Sequence, residues 1–115
     1  MCFLRKKKIQ TYLDRVGNSK TAFDILLSDY LDGKIKKDLA AIGFEKISIN
    51  IDWLDDYKCI GIQCKYQRYY VDIQIHNDEF SVSYDLDEPD EDIFYTLDSR
   101  EQFYQALEDM LKTIG

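Results

Sequence analysis

One histidine, His76 in the stretch IHNDEF, and three cysteines at positions 2, 59 and 64 have the types best suited to nucleophilic or soft-metal chemistry. A thiolate stabilised by a neighbouring imidazolium is reactive, and a carboxylate that orients the imidazole completes such a pair. Cysteine, histidine and carboxylate side chains are also the ligands that hold zinc. Both chemistries require His76 to meet a cysteine. Whether it does depends on the strands that carry them.

From Ile47 onward apolar residues recur every second position, through ISINIDW (47–53) and again over 58–66, 69–76 and 80–86. Such alternation marks half-buried strands. A two-residue loop at Asp55-Asp56 sets Ile51 against Ile60, Ile49 against Ile62 and Ile47 against Cys64. A loop at Gln67-Arg68 sets Cys64 against Val71, Ile62 against Ile73 and Ile60 against Ile75. A loop at Asn77-Asp78, a favoured type I′ dipeptide, sets Ile75 against Phe80, Ile73 against Val82 and Val71 against Tyr84. All three registers put the apolar residues on one face, and a slip of one residue in any of them would destroy the agreement. The pattern predicts a four-stranded antiparallel meander, with IFYTL (93–97) as a fifth strand or an extended link.

The same registers order the opposite, polar face into rows. One reads Asp52–Cys59–His76–Glu79, the next Asn50–Gly61–Gln74–Ser81, then Ser48–Gln63–Asp72–Ser83, with Lys65, Tyr70 and Asp85 beyond. Opposed side chains on a sheet lie about 5 Å apart at Cβ, so Cys59 and His76 are expected neighbours flanked by acids. An open sheet face offers no pocket, however, and no glycine loop stands beside Cys59 to hold an oxyanion. Structural zinc recruits more cysteine or histidine than this row supplies, since Cys64 faces the core. The expectation is an ordinary polar row, with no catalytic residues, no metal and no cofactor. A Cys59/His76 enzyme is the least favoured reading.

Helices flank the strands. Ile9, Tyr12, Leu13 and Val16 follow helical spacing, with Gly17 placed to end the helix. Asn18 or Ser19 is the expected cap of a second helix with the stripe Phe23, Leu26, Leu27, Tyr30 and Leu31, broken at Asp32-Gly33. Ile35, Leu39 and Ile42 continue an apolar face up to Gly43. At the far end Asp98 or Ser99 caps a final helix, with Glu101 or Gln102 in capping-box position and Phe103, Ala106, Leu107, Met110, Leu111 and Ile114 as its buried stripe. The fold class is α+β: N-terminal helices, a four- to five-stranded antiparallel meander and a C-terminal helix, with the helices on one sheet face. One domain, 1–115, divides into a helical part (1–43), the sheet (44–97) and the last helix (98–115).

Charge narrows the function classes. The net charge is −7, but residues 1–46 carry ten Lys/Arg against six Asp/Glu, while residues 47–115 carry five against sixteen. The run DLDEPDED (85–92) holds six of those carboxylates. Such a field repels nucleic acid and attracts basic surfaces. The basic cluster Arg5–Lys8 reads as a solvated helix end. Of the tyrosines, alternation sends Tyr66 and Tyr69 to the core face and Tyr70 outward, which is too few for a base-stacking platform. The acids of 87–90 lack the ligand spacing and central glycine of an EF-hand. No phosphate loop, HExxH or GxSxG occurs. No apolar stretch is long enough for a membrane helix, and no apolar region follows the N-terminal charges as in a secretory signal. With an odd cysteine count, a soluble cytoplasmic protein is the expectation.

The segment CKYQRYYVDIQIHNDEFSVSYDLDEPDEDIFYTLDSREQFYQALEDML resembles small acidic bacterial immunity proteins of contact-dependent and polymorphic toxin systems. The likeness is one of order over about residues 44–114: meander, acidic run, capped helix. It implies a non-catalytic domain that binds a cognate toxin domain, often a basic nuclease, and blocks its active site or a surface beside it. The alternative is a regulatory or structural adaptor that binds another protein. An acidic domain complements a basic partner through charge, with aromatic anchors supplying affinity. The candidate contacts are Asp85, Asp87, Glu88, Asp90, Glu91 and Asp92 in the run, with Asp72, Tyr70, His76 and Glu79 on the sheet face. Trp53 is either a core residue or an interface anchor.

Overall fold

The computed structural model describes residues 2–54, 57–85 and 92–114, with the backbone alone for residues 2–4. Three helices come first: α1 (Cys2–Val16), α2 (Ala22–Leu31) and α3 (Lys34–Ile42). Five strands follow, β1 (Glu45–Trp53), β2 (Lys58–Tyr66), β3 (Tyr69–Ile75), β4 (Glu79–Asp85) and β5 (Ile93–Thr96), and then α4 (Arg100–Ile114). The sheet is antiparallel throughout, in the order β1-β2-β3-β4-β5. The fold is α+β, and IFYTL contributes a true fifth strand.

The register follows the isoleucine ladder. Ile51 pairs with Ile60, Ile60 with Ile75 and Ile75 with Phe80; Ile49 pairs with Ile62, Ile62 with Ile73 and Ile73 with Val82. The ladder faces the helices, and Phe80 meets Phe103 of α4 edge-on with ring centres 4.9 Å apart. Ile9 and Leu13 of α1, Leu26 and Leu27 of α2 and Leu39 of α3 fill the same core.

Three local expectations are corrected. The second helix is capped by Thr21, not by Asn18 or Ser19: the Asp24 N–H donates to Thr21 Oγ1, and the Thr21 N–H donates back to Asp24. The residue three positions on decides the cap, because it closes the reciprocal bond. Ile47 does not stand in simple register with Cys64, because the β1–β2 ladder shifts between Glu45 and Ser48, where Lys46 takes φ 52°. The Asn77-Asp78 loop has the expected length, closed by the His76 N–H donating to Glu79 O. Neither residue has positive φ, so the turn is not type I′. Its Asp78 carbonyl accepts instead from Leu97 N–H, tying the turn to the segment behind β5. Leu54 and Tyr57 exchange backbone bonds across the first hairpin. The turn residues between them, Asp55 and Asp56, lie outside the described residues.

Other boundaries fall where the sequence puts them. Gly33 takes φ 75° between α2 and α3, a left-handed conformation that glycine adopts without strain. Ser99 Oγ accepts from the Gln102 N–H at the start of α4, and Gln102 Oε1 accepts from the Asp98 N–H. Trp53 resolves to the helical side, half-buried and edge-on to Tyr12 at 5.3 Å.

One charged contact joins the two helical segments. Asp29 of α2 is 3% exposed and accepts two bonds from Arg100 of α4, from Nε at 2.7 Å and Nη2 at 3.0 Å. The forked geometry matches guanidinium to carboxylate. Arg100→Ala leaves a buried carboxylate unpaired and is expected to cost about 2–3 kcal/mol in urea unfolding, moderated by the water that reaches Arg100. Asp29→Ala/Arg100→Ala is expected to lose less than the two single changes together, by about 1 kcal/mol or more. Additive losses would show that the pair is not coupled.

Candidate interaction surface

The face of the sheet turned away from the helices carries the polar rows. Asp52 pairs with Cys59, Gly61 with Gln74, Gln63 with Asp72 and Lys65 with Tyr70, while Gln74, Asp72 and Tyr70 pair on to Ser81, Ser83 and Asp85. Strand β5 extends two rows, with Phe94 opposite Ser81 and Thr96 opposite Glu79. Ser48, Asn50, Asp52, Gln63, Tyr70, Glu79, Phe94 and Thr96 are all exposed along this face. No described helix packs over them.

Cys59 does not belong to a solvent-facing row as expected. It is 1% exposed, and its Sγ lies 3.2 Å from Gln74 Oε1. Gln74 Nε2 in turn donates to Asp72 Oδ1 at 2.9 Å. Gly61 stands beside the Gln74 amide, where an added Cβ would meet Nε2 at 3.4 Å, an ordinary van der Waals contact. The thiol's partner is therefore diagonal to it on the ladder, not His76 across from it. His76 is half-buried just beyond β3, with its ring 5.7 Å from that of Tyr57.

The electrostatics oppose an activated thiol. Burial pushes the Cys59 thiol above its ordinary value, with a hydrogen bond to the Tyr57 hydroxyl pulling the other way and Asp52 adding to the rise. Burial also pushes Cys64, in the core, up to about 12. A reactive cysteine needs the reverse shift. Among the described residues no three His, Cys, Asp or Glu side chains gather as a metal site would require.

The other candidate residues fall in two places. Tyr70 is 56% exposed with the Lys65 ammonium 4.9 Å from its ring centre. Asp72 and Asp85 are half-buried, Glu79 is exposed, and Asp92 is exposed just before β5. Asp87, Glu88, Asp90 and Glu91 lie outside the described residues. The sequence reading missed Phe94, 66% exposed, and Tyr57, 45% exposed, on the same side as Tyr70 and His76. The parity of β5 was the available signal, since pairing Tyr95 with Phe80 on the core face turns Phe94 outward.

A second feature lies on the helical side. A groove of about 550 Å³ runs between α1 and the first hairpin, lined by Lys7, Lys8, Thr11, Tyr12, Arg15, Trp53, Leu54 and Lys58. Part of the basic cluster expected to be merely solvated thus shares a concavity with two aromatic rings. Lys8, Tyr12 and Arg15 at i, i+4 and i+7 were legible as one helix face, but Trp53 and Lys58 join them only in the folded chain.

Comparison with protein-family models, curated proteins and solved structures finds no match to this chain.

The buried Cys59 makes a direct prediction. At pH 8 in the native protein, iodoacetamide is expected to modify Cys59 at least about tenfold more slowly than in the unfolded chain, as read by peptide mass mapping. Because the folded value is raised, the native rate is expected to keep climbing above the pH at which an ordinary thiol has levelled off. His76→Ala is expected to leave the rate unchanged. Fast alkylation at neutral pH that His76→Ala slows would restore the Cys–His pair.

Proposed function

We propose that this protein is a non-catalytic binding domain that docks the uncovered face of its sheet on a basic protein. We propose further that the partner is a cognate bacterial toxin domain, which the complex neutralises. The observation that carries the reading is the composition of that face. Phe94, Tyr70 and Tyr57 stand exposed among Asp52, Asp72, Glu79 and Asp85, with Lys65 beside Tyr70. Exposed aromatics supply the buried anchors of an interface, and surrounding acids steer a basic partner toward it. The described part of the acidic run, Asp85 and Asp92, borders the same side. The resemblance to immunity proteins, in the order of meander, acidic run and capped helix, favours a toxin over an unrelated adaptor target.

The test is co-expression with the product of the adjacent gene. This chain is expected to relieve that product's toxicity and to form a complex whose association rate falls as salt rises. Tyr70→Ala and Phe94→Ala are each expected to weaken the complex about tenfold or more, mainly through faster dissociation. Asp72→Lys with Asp85→Lys is expected to slow association. A complex indifferent to both aromatic changes would remove the sheet face as the docking surface, and absence of any protection would remove the toxin as partner.

A further inference from the structure

The two edges of the sheet are finished differently. Strands β1 and β5 stand at the ends of the order β1-β2-β3-β4-β5, so each has one neighbouring strand. An edge strand turns a row of N–H and C=O groups away from its neighbour, a template for one more strand. The β5 edge is short, Ile93–Thr96, and its Thr96 carbonyl accepts from Gln102 Nε2 of α4 at 2.9 Å. The β1 edge runs for nine residues, Glu45–Trp53. Its outward row follows from the first hairpin. Leu54 and Tyr57 exchange two backbone bonds, at 2.8 and 3.3 Å, and such pairs alternate along an antiparallel ladder. Asp52 and Asn50 therefore bond to β2, while the N–H and C=O of Trp53, Ile51 and Ile49 point away from it. Among the described residues, no hydrogen bond reaches these outward groups.

Only an extended chain matches donors and acceptors at that spacing, and its side chains must alternate as those of β1 do. The strand itself meets both requirements. Opposed residues of an antiparallel pair share a face, so a second β1 lays isoleucine beside isoleucine on the helical side and polar beside polar on the other. Ile47 and Ile49 are half-buried, and with Ile35 and Lys36 of α3 they line a groove of about 340 Å³ beside β1. An added strand covers both isoleucines. Charge sets the direction. Lys46 and Asp52, both exposed, stand toward opposite ends of β1, and Glu45 beside Lys46 faces Lys65 across the ladder. Antiparallel pairing turns the Asp52 end of each copy toward the Lys46 end of the other, whereas parallel pairing sets Asp52 beside Asp52. The irregularity at Lys46, with φ 52°, ends the regular ladder and leaves residues 48–53 as the pairing segment.

From these features we infer that the protein forms a two-fold symmetric dimer by antiparallel pairing of β1 with β1 of a second copy. Such a contact uses the same patch on both subunits and closes on itself. Centred near Asn50, it sets Ile49 against Ile51 of the second copy and joins the two uncovered sheet faces into one surface. It needs no other partner, so the test uses purified full-length protein alone, by sedimentation equilibrium and amide hydrogen exchange. A dimer Kd of about 100 µM or tighter is expected, modest because one strand pair buries less than a standard interface. The Ile49 and Ile51 amides are expected to exchange about threefold more slowly when concentration rises from about a tenth of the Kd to about ten times it, with the Asn50 and Asp52 amides unchanged. Ile49→Pro removes an outward donor but no bond to β2, and is expected to weaken the dimer about tenfold or more. Asn50→Lys, at an exposed position, sets two lysines face to face and is expected to weaken it by a similar factor while the fold is kept. Thr96→Lys on the β5 edge and Phe94→Ala on the sheet face are expected to leave the dimer intact. The inference is overturned by a Kd weaker than about 100 µM, or by Ile49 and Ile51 exchange indifferent to concentration. It is equally overturned by a dimer that survives either β1 change, or by one lost with Thr96→Lys or Phe94→Ala.

Discussion

The apolar ladder on one face of the sheet is the constraint on which the rest of the molecule depends. Ile60, Ile62, Ile73 and Ile75 on β2 and β3 are fully buried, and each has an apolar partner on the neighbouring strand. A sheet with one such face cannot stand alone in water, so the chain before it and the chain after it must both return to the same side. That requirement brings α2 and α4 together and creates the site for the Asp29–Arg100 pair. Among the described residues it also leaves the other face of the sheet without a helix. The helices therefore decide where a partner could dock by where they are not.

The ladder is legible in the sequence because its evidence is redundant. Three hairpins independently placed isoleucines and their partners on one side, and all three registers are those of the folded chain except beside the bulge at Lys46. What could not be read has a common physical character. The Cys59–Gln74 contact runs diagonally across the β2–β3 ladder, so it is a property of how two side chains lean and not of either residue type. Asp29 and Arg100 are 71 positions apart, and no local pattern marks aspartate in an amphipathic helix as the one that will be buried. The Thr21 cap was readable in principle, from Asp24 three residues on, but Asn18 and Ser19 follow Gly17 more directly and are equally good cap types.

The same distinction separates the two candidate surfaces. On the sheet face, alternation alone places Tyr70, Asp72 and His76 outward, and only the fifth strand was needed to add Phe94. The groove is different. Lys8, Tyr12 and Arg15 form an ordinary basic helix face until the first hairpin brings Trp53 and Lys58 against it. Composition by halves had already separated positive from negative charge, but a half of a sequence is not a surface. The fold converts the imbalance into two sides, since α1 lies behind the sheet and the acidic rows lie in front.

Cys59 shows why residue type is weak evidence of chemistry on such a face. It sits in the row with His76 and Asp52, as a nucleophile would, yet the amide of Gln74 covers it and burial raises its proton affinity. The carboxylate of Asp52 acts in the same direction, because a negative neighbour disfavours a thiolate. The acidity that makes this face suitable for a basic partner therefore makes it unsuitable for a thiolate. One field has opposite consequences for a thiolate at Cys59 and for the basic partner proposed above.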